Sequence, residues 1–247
     1  MFKGTVKFRA KIKGNGLTFP LFEFNPNEPG VDKVEVGGPN GDEILSTVHL
    51  ASVATLEGGK TIASKVHTAA LNRVSFFHDI AIENGQITGS QFSPLNPPPS
   101  FHLFAGTGHL SLTGCEARFV VGLTAASLKK ELEQASPPGE HNFGLFRSAR
   151  QSMSPVEEFL HLYNILLMLS KDRQADVDAF ILGEDPAVPQ TQHPLKGPGA
   201  METVYTRLRN ELAHKRAGVN LQNTKAEMAN RLGGLIALTK RAIELHL

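Results

Sequence analysis

Ser136-Pro137-Pro138-Gly139 decides the fold of this chain, because the period of the apolar residues changes across it. Adjacent prolines followed by a glycine continue neither a helix nor a central strand, so these four residues mark a boundary. Apolar residues alternate with polar ones before it and recur at helical spacing after it. We therefore predict an α+β protein, with a β-rich domain over residues 1–138 and an all-α helical bundle over residues 143–247.

The β-rich half begins with a strand whose two faces differ. Val6, Phe8, Ala10 and Ile12 are apolar and alternate with cations, a pattern that is typical of a half-buried strand. Further strands are expected at residues 17–24, 33–36, 80–92, 103–112 and 117–123. Asn84-Gly85, inside one of these segments, is a candidate hairpin tip.

Helices are predicted in both halves. Apolar residues at helical spacing indicate one or two helices in the β-rich domain, the first over residues 60–77. In the second half, Ser154-Pro155-Val156-Glu157 offers a cap, a proline at the first helical position and a glutamate three residues on. Thr224 and Glu227 form a similar capping box for the last helix. Further helices are expected at residues 125–134 after Thr124, at 145–150 and at 175–182, and residues 183–199, with four prolines, are expected to be a loop.

Residues 207–216 carry the candidate chemistry. They read Arg-Leu-Arg-Asn-Glu-Leu-Ala-His-Lys-Arg and are predicted to be helical. The guanidinium of Arg209 can hold a phosphate in a fixed fork, and the imidazole of His214 can move a proton near neutral pH. A helix turns about 100° per residue, which puts Asn210 and His214 on one line and Arg209 about 140° away from His214. Arg209 therefore reaches the same phosphate only through its long side chain, through a helix bend, or from a second copy of the motif in a partner chain.

A structural role fits the same three residues. Asn210 can hydrogen-bond locally, Arg209 can be solvated, and a protonated His214 suits the negative end of a helix macrodipole. In that interpretation the polar groups of the motif hold a helix end or a dimer interface.

The segment from Glu202 to His214 resembles the R-x4-6-H segment of the HEPN superfamily, in which an asparagine usually follows the arginine. Residues 159–163, Phe-Leu-His-Leu-Tyr, are similar to the first long helix of the Apea-like branch, and the resemblance covers the chain from residue 143 onward. It implies a HEPN-like helical bundle that forms a homodimer. Many members are metal-independent endoribonucleases, and this resemblance would make Arg209, Asn210 and His214 the catalytic residues of this chain. Other members that keep the motif are adaptors or binding modules.

The whole chain further resembles the MauJ family of methylamine-utilisation proteins. That resemblance implies an accessory or binding role in amine metabolism. Two functions therefore stay open: a dimerising binding module, and an endoribonuclease that leaves 2′,3′-cyclic phosphate ends on RNA.

The charge of the chain is unevenly distributed. The formal net charge is only +1, which argues against binding of nucleic acid through bulk attraction. Residues 151–195 nevertheless carry two basic and seven acidic side chains, whereas residues 196–247 carry nine basic and four acidic ones. Lys215 and Arg216, directly after the motif, are weak candidates for RNA phosphate binding. Attraction between neighbouring helices of opposite charge explains the same distribution.

A metal site is the competing interpretation of the histidines. Glu158 with His161, and Glu211 with His214, are E-x-x-H pairs on separate predicted helices, the spacing of di-iron carboxylate bundles. Such a site needs two further carboxylates, and the candidates are Glu227 and either Asp176 or Asp178. Glu158 and Glu227 both fall in a first helical turn, away from the middle of a bundle. We expect no metal and no cofactor.

Composition is that of an ordinary globular chain. Of 247 residues, 40% are hydrophobic and 20% are charged, which fits neither a disordered nor a membrane protein. The longest apolar run, residues 165–169, is far too short to span a bilayer. A single cysteine, Cys115, excludes an intramolecular disulfide and a zinc site built from several thiolates. We expect a cytoplasmic protein.

Overall fold

The computed structural model describes residues 1–95, 120–135, 137, 139–214 and 218–245, without the side chain of His214. The chain forms two compact units, Met1–Ser136 and Pro137–Leu247. The protein is a mixed α/β protein, with a β-sheet in the first unit and mostly helices in the second.

Seven strands of the first unit form one sheet. They are β1 (Phe2–Lys13), β2 (Gly16–Phe24), β3 (Val31–Gly38), β4 (Glu43–Val53), β5 (Ala81–Ile82), β6 (Gln86–Pro94) and β7 (Val120–Gly122). The long strand β1 pairs with β4 on one side and with both β5 and β6 on the other. From β4 the sheet continues through β3 and β2 to β7, and among the strands of the described residues only the β2–β7 pair is parallel.

Two helices lie on one face of this sheet, α1 (Leu56–His78) against β1 and β4, and α2 (Ala125–Glu133) against β2. Side chains of a strand point alternately to the two faces, so the predicted alternation of β1 places Val6, Phe8 and Ala10 under the helices. Their exposure is 3% or less, which confirms the buried face of β1. The cations between them lie on the opposite face of the sheet.

The sequence prediction for this unit was wrong in two places. Residues 43–53 were not predicted to be a strand, yet β4 is the strand that joins β1 to β3. Residues 80–92 were predicted as one strand with a hairpin tip at Asn84-Gly85, but β5 and β6 pair with β1 and not with each other. Gly85 instead packs closely on His67. A Cβ at position 85 would lie 2.0 Å from the ring Nε2 of that histidine, so a side chain does not fit here. The strand expected at residues 103–112 lies outside the described residues.

The second unit contains five helices and one short hairpin among its described residues. After a 3-10 turn at Glu140–Asn142 come α3 (Phe143–Arg150), α4 (Pro155–Leu169), α5 (Gln174–Glu184), β8 (Gln190–Gln192), β9 (Met201–Thr203), α6 (Val204–His214) and α7 (Leu221–Leu245). β8 and β9 pair in antiparallel fashion, so the prediction of an all-α domain with a plain loop at 183–199 was wrong in this segment. Fully buried side chains that fill its core include Phe143, Phe146, Phe159, Leu162, Leu166, Val177, Ile181, Leu208, Leu235 and Ile243.

Helix caps explain where two of these helices begin. The hydroxyl of Ser154 accepts from the backbone N–H of Glu157 at 3.2 Å, which confirms the predicted start of α4. The last helix begins earlier than predicted. Asn220 caps it, through an Oδ1 that accepts from the N–H of Gln222 at 2.9 Å, and Thr224 lies inside the helix. Within the described ranges, no helix combines the length and the apolar character that a membrane crossing needs.

Candidate functional site

Helix α6 carries the candidate motif. Arg209 and Asn210 lie in its second half, and His214 is its last residue, one turn beyond Asn210. The side chain of His214, and Lys215 and Arg216 after it, lie outside the described residues. The geometry of the site therefore rests on Arg209, Asn210 and the groups around them.

Asn210 is buried, with 4% of its surface exposed, and its amide is bonded on both sides. Its Oδ1 accepts from Gln174 Nε2 at 2.9 Å and from Arg209 Nη1 at 3.1 Å, and its Nδ2 donates to Glu202 Oε2 at 3.2 Å. Asn210 therefore faces inward and joins α6 to α5 and to β9. A buried amide needs such partners, because an unsatisfied one costs about 1–3 kcal/mol.

Arg209 is half-buried and its guanidinium has no carboxylate partner among the described residues. Its hydrogen bond to Asn210 uses one of five N–H donors, since an arginine side chain donates only and stays charged. This bond links two consecutive residues of α6. The three routes by which Arg209 could reach the same phosphate as His214 stay predictions, because the side chain of His214 lies outside the described residues. The remaining donors form an unmatched, partly desolvated positive charge, which favours an anion as partner.

Arg207, two residues earlier, shows the contrast. Its Nη1 donates to Glu211 Oε1 at 2.7 Å and its Nη2 to Glu227 Oε2 at 2.6 Å. Burial lowers the pKa of Arg207, but the hydrogen bonds to Glu227 and Glu211 outweigh it, so the pKa lies above its usual value. Arg207 is consequently a structural cation that joins α6 to α7, and its charge is matched within the unit.

A buried carboxylate and a histidine complete one side of the site. The side chain of Glu202 is 1% exposed, and His193 Nε2 lies 3.8 Å from its Oε2. His193 Nδ1 accepts from the N–H of Leu195 at 3.2 Å, so in the neutral ring the proton sits on Nε2 and faces Glu202. The hairpin of β8 and β9 thereby contacts the asparagine of the motif through Glu202.

The other side is a chain of hydroxyls that ends on a carboxylate. Asp178 Oδ1 accepts from the Thr203 N–H at 3.0 Å and from the hydroxyls of Thr203 and Thr206, each at 2.6 Å. Because Thr206 has one hydroxyl proton and gives it to Asp178, the hydroxyl of Tyr163 donates to Thr206 across 2.7 Å. Burial raises the pKa of Tyr163 to about 12, so this phenol stays protonated at neutral pH.

The candidate metal ligands are dispersed by these contacts. Glu211 bonds to Arg207 and to the hydroxyl of Thr224, and Glu227 also bonds to Arg207. Glu158 pairs with Arg150, and His161 Nδ1 lies 3.0 Å from the hydroxyl of Ser152. Asp176 pairs with Arg173 on the surface, and Asp178 bonds to the two threonines. Across the described residues, no three His, Cys, Asp or Glu side chains come close enough to hold a metal ion.

The sequence did not place three residues of this cluster beside the motif, although Asp178 was a candidate metal ligand and Glu202 begins the HEPN-like segment. Gln174, Asp178 and Glu202 come from two other elements, and none of them has a diagnostic spacing from the motif. Comparison of the chain with protein-family models, with curated proteins and with solved structures gave no match.

Proposed function

We propose that the helical unit is a HEPN-like module that binds a phosphate of RNA through Arg209 and acts as a homodimer in a binding or accessory role. The observation that carries this proposal is the half-buried guanidinium of Arg209, which no carboxylate of the described residues neutralises. Asn210 holds that guanidinium from one side and is itself held by Gln174 and Glu202.

The anion that Arg209 favours in this proposal is a phosphate of a polyanion. The planar fork of an arginine matches carboxylate and phosphate geometry alike, and preorganisation by Asn210 reduces the side-chain entropy lost on binding either anion. The basic pair Lys215 and Arg216, which follows the motif directly in the sequence, favours RNA because a polyanion offers further phosphates to these cations.

Dimerisation is part of the proposal because a second copy would supply a second Arg209 to one cleft. The role in methylamine utilisation rests on the resemblance of the whole chain alone. The oligomeric state is measured by sedimentation velocity of the full chain. A dimer is expected over micromolar concentrations, and a monomer throughout that range would contradict the homodimer.

Equilibrium binding tests the assigned phosphate site. Fluorescence anisotropy of a labelled single-stranded RNA in chelator is compared for wild type, Arg209→Gln and the control Arg241→Gln, which removes an arginine of α7 paired with Glu184. Loss of one charge-assisted fork weakens binding by about tenfold to a hundredfold in Arg209→Gln. The same affinity for Arg209→Gln and wild type would contradict the proposal, as would an equal loss in both variants.

Metal-independent cleavage of RNA is a second candidate function, favoured by the position of His214 one turn after Asn210 on the same helix. In this reaction His214 takes the proton of a ribose 2′-hydroxyl and the 2′-oxygen attacks the adjacent phosphorus. The bond from phosphorus to the 5′-oxygen breaks, and that oxygen takes a proton as it leaves. Arg209 stabilises the charge that develops on the phosphate, and Asn210 orients Arg209.

Cleavage is tested by the ends that it leaves. Wild type, His214→Ala and Arg209→Ala are incubated with structured and single-stranded RNA in chelator, and the fragment ends are analysed. Cyclic phosphate ends from wild type alone are expected of the enzyme. Wild type that binds RNA without cleaving it would support the binding module and contradict the enzyme. Cleavage by His214→Ala would contradict the role of this histidine.

A further inference from the structure

The face of the sheet opposite α1 and α2 carries a row of lysines on β1. Lys3, Lys7 and Lys11 are exposed on β1, and they alternate with the buried apolar residues of the opposite face. Residues four apart on a strand are about 13 Å apart, so the three ammonium groups form a line roughly 26 Å long.

Within the part of the chain that the structure describes, these three lysines form no side-chain hydrogen bond and no ion pair. Other cations of the same face are paired: Arg9 with Glu43, and Lys33 with both Glu23 at 2.6 Å and Glu35 at 3.1 Å. Glu43 lies directly opposite Lys11 in the register of β1 and β4, yet its carboxylate contacts Arg9. The row is therefore the unmatched positive charge of this face.

Polar side chains without charge border the row on the side of β6. Lys3 is opposite Ser93 and Thr5 is opposite Gln91, whereas Lys7 is opposite Gly89, which has no side chain. At the Lys3 end the surface sinks into a shallow hollow of about 320 Å³, whose lining also includes His49 and Asp32. Hydroxyl and amide groups beside lysines are the combination that contacts phosphate and sugar in nucleic-acid complexes.

We propose that this row and hollow bind the sugar–phosphate backbone of single-stranded RNA, a proposal that rests on the RNA-binding function assigned to the helical unit. The row is one strand wide, with the acidic Glu43 on the adjacent strand β4 and Glu35 on β3 beyond it. A linear polyanion can follow the row, whereas a flat anionic bilayer would meet both signs of charge. The phenylalanines of these strands all belong to the core or pack against it. Because the described strands offer no Phe, Tyr or Trp ring for stacking on this face, contacts to the sugar–phosphate backbone dominate and recognition is independent of base sequence.

The test is the salt dependence of RNA binding by the full chain. Lys3→Gln, Lys7→Gln and Lys11→Gln are combined in one variant. The control combines Lys60→Gln, Lys65→Gln and Lys130→Gln, which changes the net charge equally within the same unit. Each lost contact to a single strand reduces the slope of log K against log salt by about 0.7, so the row variant loses about 2 in slope and about a hundredfold in affinity at 0.1 M salt. The control variant keeps the slope of wild type.

Asp32→Asn gives a prediction of opposite sign, because this carboxylate lines the hollow and repels a phosphate. It strengthens RNA binding at low salt and leaves affinity unchanged at high salt. Circular dichroism of each variant verifies that the sheet is intact, and the exposed positions of the three lysines make a folded row variant the expected result.

The outcomes separate this proposal from the function of the helical unit. A weaker row variant together with a weaker Arg209→Gln supports both. A row variant that binds like wild type overturns the surface and leaves Arg209 as the site, whereas a weaker row variant with an unchanged Arg209→Gln supports the surface and overturns the helical site. RNA that wild type does not bind overturns both. Wild type is also tested with polyglutamate and with phosphatidylserine vesicles. If it binds either of them through the row more strongly than RNA of equal charge, the surface belongs to another polyanion and is overturned as an RNA site.

Discussion

Replacing Asp178 with alanine should destabilise the helical unit far more than replacing its neighbour Asp176. One oxygen of Asp178 accepts three hydrogen bonds, from the N–H of Thr203 and from two buried hydroxyls, those of Thr203 and Thr206. A hydrogen bond contributes about 1 kcal/mol net, and one to a charged group contributes more. The expected loss in Asp178→Ala is therefore at least about 3 kcal/mol in the free energy of unfolding.

Asp176→Ala is the matched control on the same helix. Asp176 pairs with Arg173 at the surface, with side chains that are 44% and 67% exposed. Exposed pairs of this kind contribute about 0–1 kcal/mol, and a carboxylate in the first turn of a helix contributes a similar amount. The two variants thus differ by about 1 kcal/mol or more.

The chain offers a probe that reports the helical unit alone. It has no tryptophan and two tyrosines, Tyr163 and Tyr205, both of which are buried in the second unit. Urea unfolding followed by tyrosine fluorescence consequently measures the stability of that unit without interference from the sheet. Equal unfolding midpoints for Asp178→Ala and Asp176→Ala would refute the account of the hydroxyl chain.

Two further predictions concern other buried features of the helical unit. Because burial raises the pKa of Tyr163 to about 12 from an ordinary value near 10, the phenol stabilises the fold fully below pH 10, and this contribution is lost as the pH rises from 10 to 12. The titration of Tyr163 is read from absorbance at 295 nm as the step that wild type shows and Tyr163→Phe lacks. It should lie near pH 12 in the folded protein and near pH 10 in guanidinium. A value near 10 in the folded protein would contradict the burial argument. Gly139→Ala should destabilise the unit by more than about 1 kcal/mol, because φ is +73° and a Cβ would lie 2.1 Å from the carbonyl oxygen of Ile243. Gly183→Ala in α5 meets nothing within 4 Å and should stabilise by up to about 1 kcal/mol in the same urea experiment, whereas an equal effect of both substitutions would contradict this contrast.

Local periodicity predicted the elements whose buried residues are apolar. β1 was predicted from its alternation, whereas β4 was missed because the buried side chain of Ser46 interrupts its apolar face. The hydroxyl of Ser46 lies 2.8 Å from Nδ1 of His67 on α1, so its burial depends on a partner 21 residues away. No pattern within β4 itself reveals that partner.

The hairpin of β8 and β9 was missed for a different reason. Gln190, Thr191 and Gln192 are all exposed, so β8 carries no apolar periodicity, and the prolines around it favour a loop. What holds β9 in place is the pair of contacts from Thr203 to Asp178 and from Glu202 to Asn210.

The candidate site was predictable only in the part that lies on one helix. Helical geometry related Asn210 to His214 and showed that Arg209 needed a long reach to join them. The inward orientation of Asn210 depends on Gln174 and Glu202, whose positions follow from the packing of α5 and β9 against α6. The same packing brings the amide of Asn210 to Arg209, whose guanidinium has no carboxylate partner among the residues that the structure describes.

Side-chain NMR of arginine shows whether the guanidinium of Arg209 contacts RNA. The Nε–Hε signal of Arg209 is assigned by its loss in Arg209→Gln, and single-stranded RNA is then added to the labelled full chain in chelator. Arg207, which is bonded to Glu211 and Glu227, serves as the internal reference. If Arg209 binds an RNA phosphate, its signal shifts saturably while the signal of Arg207 changes little. An Arg209 signal that stays in place while the RNA is bound would contradict it.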